Sequence, residues 1–174
     1  MQRTWLGGLV ALLALVPAPA VTAPAAGGGG IPCRFEAWFR LTPGLSMIPG
    51  RGQFTSDGET GTITCRGALS AGAVTGPGTF GAEGRYGTGT LGDTCPTGGE
   101  GDGVQRFTIP TAGGPVAVTN PFTFRYGPAT GHVLGGTFQG PAFAGTFEIA
   151  SFEGDCAARP MNVVLLRGEG TLSA

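Results

Sequence analysis

Residues 33–41 read Cys33-Arg34-Phe35-Glu36-Ala37-Trp38-Phe39-Arg40-Leu41, with apolar side chains at every odd position and mostly charged ones at the even positions. A period of two marks a half-buried β-strand, because successive side chains leave the backbone on opposite faces. Cys33, Phe35, Phe39 and Leu41 therefore point into a core, and Arg34, Glu36, Trp38 and Arg40 point away from it. The same alternation recurs downstream. Val116, Val118, Phe122, Phe124 and Tyr126 share one parity, with Ala117, Thr119, Thr123 and Arg125 on the other. Phe107 and Ile109 alternate with Arg106 and Thr108, and Phe147 and Ile149 with Glu148 and Ala150. Val163 to Leu166 is continuously apolar, which fits a strand buried on both faces or one that carries a bulge.

Turn signals separate these runs: Pro43-Gly44, Pro49-Gly50, Asp57-Gly58, Gly113-Gly114-Pro115 and Gly127-Pro128. The 174 residues include 35 Gly and 14 Pro, which excludes a long-helix protein. The pattern predicts an all-β fold, an antiparallel β-barrel of about 8–10 short strands, with a β-sandwich as the alternative. The barrel is preferred because glycines inside strands suit the bulges and corners of a tightly curved sheet. A Gly-Thr-Phe tripeptide begins at Gly78, Gly136 and Gly145. Its irregular spacing is not that of a repeat, and each copy is expected to lay a ring over a neighbouring glycine.

The N-terminus reads as an address. Residues 1–20 carry one cation, Arg3, then an apolar run from Leu6 to Val16, then Ala18-Pro19-Ala20, an A-x-A cleavage site. A weaker second site lies after Ala23. The apolar run is too short to span a bilayer, which needs roughly 20 residues. Residues 21–30 read as a disordered Ala/Pro/Gly leader, and residues 31–174 as a single domain. The expectation is a secreted, extracellular protein with no membrane span.

Four cysteines in an exported chain imply two disulfides, for which three pairings exist. Strand parity places Cys33 and Cys65 on apolar faces. Cys95 and Cys156 sit in matching turn-like contexts, Gly92-Asp93-Thr94-Cys95 and Gly154-Asp155-Cys156. The favoured pairing is Cys33–Cys65 with Cys95–Cys156. The stretches GTITCRG (residues 61–67), GPGTFGAEGRYG (residues 76–87), GDTC and GDC resemble small secreted, Gly- and Thr-rich β proteins of high-GC Gram-positive bacteria. That resemblance implies a β-barrel and an extracellular location, and no activity.

The chemistry open to these residues is narrow. All ten cations are scattered Arg residues and the net charge is −1, which excludes an electrostatic nucleic-acid binder. Without Lys there is neither a Schiff base nor a P-loop. Gly76-Pro77-Gly78-Thr79-Phe80-Gly81 matches G-x-G-x-x-G, but no helix follows to face a phosphate. Catalytic candidates are His132, the only histidine, with Arg125 and Tyr126. Trp38 between Arg34 and Arg40 is a candidate sugar or anion platform. Glu100 and Asp102, in what reads as an acidic Gly-rich loop, are candidate Ca²⁺ ligands, as are Asp57 and Glu59. No cofactor is implied. The favoured function is a non-enzymatic binding or structural role, with a small apolar ligand or a cell-surface component as partner. A small barrel enzyme of the isomerase or cyclase kind is the alternative.

Overall fold

The computed structural model describes residues 29–56, 61–128 and 134–173. These form strands β1 (Ile31–Leu45), β2 (Gly52–Thr55), β3 (Gly61–Cys65), β4 (Ala68–Leu69), β5 (Gly72–Ala73) and β6 (Gly78–Tyr86). They continue with β7 (Gly99–Ile109), β8 (Val116–Pro128), β9 (Leu134–Gln139), β10 (Phe143–Glu153) and β11 (Met161–Leu172), and no helix occurs among the described residues. Segment 1–20 and residues 21–28 of the leader lie outside the described residues, as do Asp57, Glu59 and His132.

The strands close on themselves. β1 pairs antiparallel with β11 from Ile31–Leu172 to Arg40–Val163, and the wall continues through β10, β9, β8 and β7 to β6. The gap between β6 and β1 is filled by β2 and β3 in line. β2 pairs with Arg40–Thr42 of β1, and β3 with Cys33–Glu36. Both also pair with β6. They form one interrupted stave, so the structure is a closed eight-stranded antiparallel barrel. Closure gives every stave a neighbour on both sides, although β8 meets β9 only over Thr123–Pro128. β4 and β5 make a two-residue hairpin outside it.

Both disulfides have the expected pairing. Cys33–Cys65 ties β1 to β3 at the lower end, and Cys95–Cys156 joins loop 87–98 to loop 154–160 at the upper end. The apolar Val163–Leu166 run pairs with Ala37–Arg40 without interruption, and the bulges belong to its neighbouring strands. The register slips opposite it on both sides, between Arg40 and Leu45 of β1 and between Ser151 and Glu153 of β10.

Ten phenylalanines belong to the core cluster or pack against it. The lower half is filled by rings in contact. Phe35 stacks on Phe80 at 4.6 Å between centroids, and Phe143 meets Phe138 at 5.0 Å and Phe107 at 5.5 Å. A small barrel fits such rings by alternating large with small residues, and the register shows it. Phe80 faces Gly61, Phe138 faces Gly145, and Phe147 lies between Gly136 and Gly168. Each Gly-Thr-Phe copy thus places its ring opposite a glycine. Gly168 also faces Phe35 across β1, and a methyl there would overlap that ring.

The structure corrects three local readings. Pro43-Gly44 and Gly127-Pro128, read as turn signals, lie within β1 and at the end of β8. Gly99–Gly103 is not a loop but the first half of β7. Gly101 lies against the Phe124 ring and Gly103 against Phe54, so glycine occupies the inward parity while Glu100 and Asp102 face outward.

Candidate functional site

The upper half of the barrel is not filled. It holds a half-open cavity of about 70 Å³ with almost wholly carbon walls. Its floor includes Phe80, Phe138 and Gln105, its walls Phe54, Phe122 and Phe124, and its roof Leu45, Tyr86, Tyr126 and Met161. The inner wall here is built on glycines covered by rings. Phe54 pairs with Gly84, Phe122 with Gly103 and Phe124 with Gly101, and Gly84 pairs with Gly103. Three adjacent inward positions therefore supply no side chain of their own, and the Phe54 and Phe124 rings lie over them. In the lower half the corresponding positions hold Phe80, Phe107 and Ile109. Phe54, Phe122 and Phe124 remain half-buried although they point inward.

Two buried amides mark the floor. Asn120, fully buried on β8, staples the β9–β10 turn. Its Oδ1 accepts the Ala142 N–H (2.9 Å) and the Phe143 N–H (3.2 Å), and its Nδ2 donates to the Phe143 carbonyl (3.0 Å). Nδ2 also donates to Oε1 of Gln105 at 2.9 Å. Gln105 is 3% exposed and lines the cavity.

A buried carboxylate closes the roof. Asp93 is 1% exposed and lies on loop 87–98, which bridges to Gly50 of loop 46–51. Its Oδ2 accepts the Tyr126 hydroxyl (2.9 Å), and its Oδ1 accepts the Glu100 N–H (3.2 Å). A methyl on Gly99 would overlap this carboxylate, so the glycine admits it. Burial pushes the Asp93 carboxyl up, against the lowering effect of the Tyr126 hydroxyl and of backbone N–H groups. Burial also raises Tyr126, helped by Asp93 nearby, and pushes Tyr86 up to about 12. The Tyr86 hydroxyl donates to the Pro43 carbonyl. Asp155 occupies the same Gly-Asp context as Asp93 yet behaves oppositely. It is exposed, and the N–H groups of Arg159 and Ala158 hold it below the usual carboxylate range. A shared Gly-Asp dipeptide thus yields one turn-capping carboxylate and one buried one.

The residues singled out in the sequence are dispersed. Tyr126 reaches the cavity roof, but Arg125 points outward and pairs with Glu100 at 3.1 Å. Asp102 is held by Arg85, whose guanidinium donates to both of its oxygens (3.0 and 3.1 Å). Of the four candidate Ca²⁺ ligands, Glu100 and Asp102 are therefore arginine-paired, and no cluster of three metal-ligating side chains occurs among the described residues. Arg34, Trp38 and Arg40 share the outer face of β1, where Arg34 pairs with Glu169 at 3.4 Å and Glu36 with Arg167. Trp38 is 38% exposed. No helix among the described residues is long and apolar enough to cross a membrane.

Asp93, Gln105 and Asn120 are the polar residues that the sequence reading did not single out. For the two amides a signal was present. Gln105 shares the inward parity of Phe107 and Ile109, and Asn120 that of Val118 and Phe122. A polar residue on an apolar parity must be paired inside or serve a ligand. Comparison with protein-family models, with curated proteins and with solved structures finds no match.

Proposed function

We propose that this protein is a secreted carrier that holds a small apolar molecule, or the apolar end of a larger one, in the upper half of its barrel. The observation that carries the reading is the preformed cavity of about 70 Å³ with carbon walls. Apolar cavities stay dry and take up apolar guests; an engineered one of about 150 Å³ binds benzene. Half that volume suits a unit of four or five heavy atoms. Burying four carbons is worth about 3 kcal/mol at ~0.8 kcal/mol each, a millimolar affinity for that segment alone. The two disulfides are compatible with an extracellular location.

The arrangement gives catalysis little to work with. Tyr126 is committed to Asp93, whose two oxygens are both engaged, and Arg125 is outside the barrel. A surface role has one specific observation in its favour. Met47 and Ile48 on loop 46–51 and Leu91 on loop 87–98 are exposed apolar side chains on two bridged loops. These loops would be the face offered to a cell-surface component that loads or receives the ligand.

The test is native mass spectrometry of the protein purified from the culture medium of its own cells, before and after denaturation. A released small molecule of low polarity supports the carrier reading. A bare chain, unable also to take up small apolar probes, overturns it.

A further inference from the structure

We infer that the ligand carries a hydrogen-bond acceptor oxygen of the carbonyl kind on its apolar body, and that this oxygen docks on the side-chain amide nitrogen of Gln105. The inference rests on the carrier reading above and specifies the chemistry of its ligand.

The argument follows from the orientation of two amides, which backbone partners fix. Two backbone N–H groups, of Ala142 and Phe143, converge on one atom of the Asn120 amide, and N–H groups donate only to an acceptor. That atom is therefore Oδ1, and the other is Nδ2. One Nδ2 hydrogen goes to the Phe143 carbonyl and the second to Gln105. Gln105 must receive it with Oε1, so its Nε2 is turned away from Asn120. Among the described residues Nε2 meets no acceptor. Among the described residues no side-chain nitrogen or oxygen is both sealed from space and unpaired, so Nε2 opens onto free space, and the space beside Gln105 is the cavity that it lines.

The other polar atoms at the cavity boundary are spoken for. The Tyr86 hydroxyl donates to the Pro43 carbonyl and the Tyr126 hydroxyl to Asp93. An almost wholly apolar chamber with one donor pair aimed into it recognises an apolar body with one acceptor. Such a donor left without a partner costs free energy, and a matching oxygen removes that cost.

The test compares two probes of matched shape, 2-butanone and 2-methyl-1-butene, which differ by an oxygen in place of a methylene group. Each is titrated by NMR at millimolar concentration into the disulfide-intact protein and its Gln105→Leu and Gln105→Met variants. The expected result is that both probes bind the wild type. Either substitution should then weaken the ketone relative to the alkene by about fivefold, the worth of one buried hydrogen bond. Retained alkene binding shows that a variant is folded. If both variants fail to fold, the carbonyl stretch of wild-type-bound 2-butanone decides. A frequency below that in an alkane solvent supports the inference, and an alkane-like frequency overturns it. Alkene binding with a ketone preference indifferent to residue 105 also overturns it and leaves the carrier reading standing. Failure of both probes to bind the wild type overturns both.

Discussion

Substituting Ala82 by Val should make the protein more stable and a poorer host. Ala82 is buried on β6, faces Gln105 across the β6–β7 pair and borders the cavity. Empty space of 70 Å³ at ~24 cal/mol per Å³ is a loss of about 1.7 kcal/mol. Val adds two inward carbons, worth about 1.6 kcal/mol at ~0.8 kcal/mol each. It is also a favourable residue in a strand. The two figures agree, so with imperfect filling the variant should gain about 1–1.5 kcal/mol, or roughly 3–5 °C in Tm for a domain of this size. Thermal unfolding followed by far-ultraviolet circular dichroism measures the gain. NMR titration with 2-methyl-1-butene measures the lost capacity, and its affinity should fall together with the rise in Tm. A Tm lowered by several degrees would show that residue 82 already abuts its neighbours, since overpacking costs about 1–3 kcal/mol. Unchanged alkene affinity would show that the probe binds elsewhere. Either result refutes the reasoning.

Three further outcomes follow from the same geometry. Asn120→Ala strips partners from two backbone N–H groups, one carbonyl and Gln105 Oε1. It should cost about 3 kcal/mol or more in urea unfolding; a loss under about 1 kcal/mol would contradict the stapling role. Asp93 has a folded pKa raised by burial, so the folded state holds its proton more tightly than the unfolded chain. Its stabilising contribution is complete below the unfolded value of about 3.9 and is lost as pH rises through the folded value. The wild-type Tm should therefore fall relative to that of Asp93→Asn as pH rises above about 3.9, the unfolded value, and parallel curves would contradict this. The disulfides span 32 and 61 residues, each nominally worth about 4 kcal/mol in chain entropy. Cys95→Ala/Cys156→Ala should weaken 2-methyl-1-butene binding by loosening the roof, whereas Cys33→Ala/Cys65→Ala should lower the urea midpoint and leave probe affinity unchanged.

How much of this was legible in the sequence depended on whether the cause was local. The parity of Cys33–Leu41 and the inward run from Val116 to Tyr126 are properties of single strands, and the structure has them as read. The disulfide pairing followed because parity and shared context are local too. The interrupted stave was hidden, since Asp57-Gly58 reads as an ordinary turn and nothing nearby says that β3 resumes the line of β2. Gly99–Gly103 looked like a loop because glycine hides the inward half of the alternation. Its period-two signal lay in Glu100 and Asp102, each opposite a cross-strand arginine, Arg125 and Arg85. The cavity was illegible for a stronger reason. Eleven phenylalanines are enough to suggest a filled barrel, and only the register reveals that Gly84, Gly101 and Gly103 adjoin on one inner wall. Asp93 gave no signal, because its partner Tyr126 is brought to it by the β7–β8 register, which sets Tyr126 opposite Gly99.

The central claim is that the barrel carries a dry, apolar, ligand-sized cavity in its upper half, and xenon tests it most directly. A crystal of the disulfide-intact protein pressurised with xenon should show one strong site between Phe54, Phe122, Phe124 and Phe138, close to Gln105. Xenon absent from that position, with no other site inside the upper half of the barrel, would contradict the account.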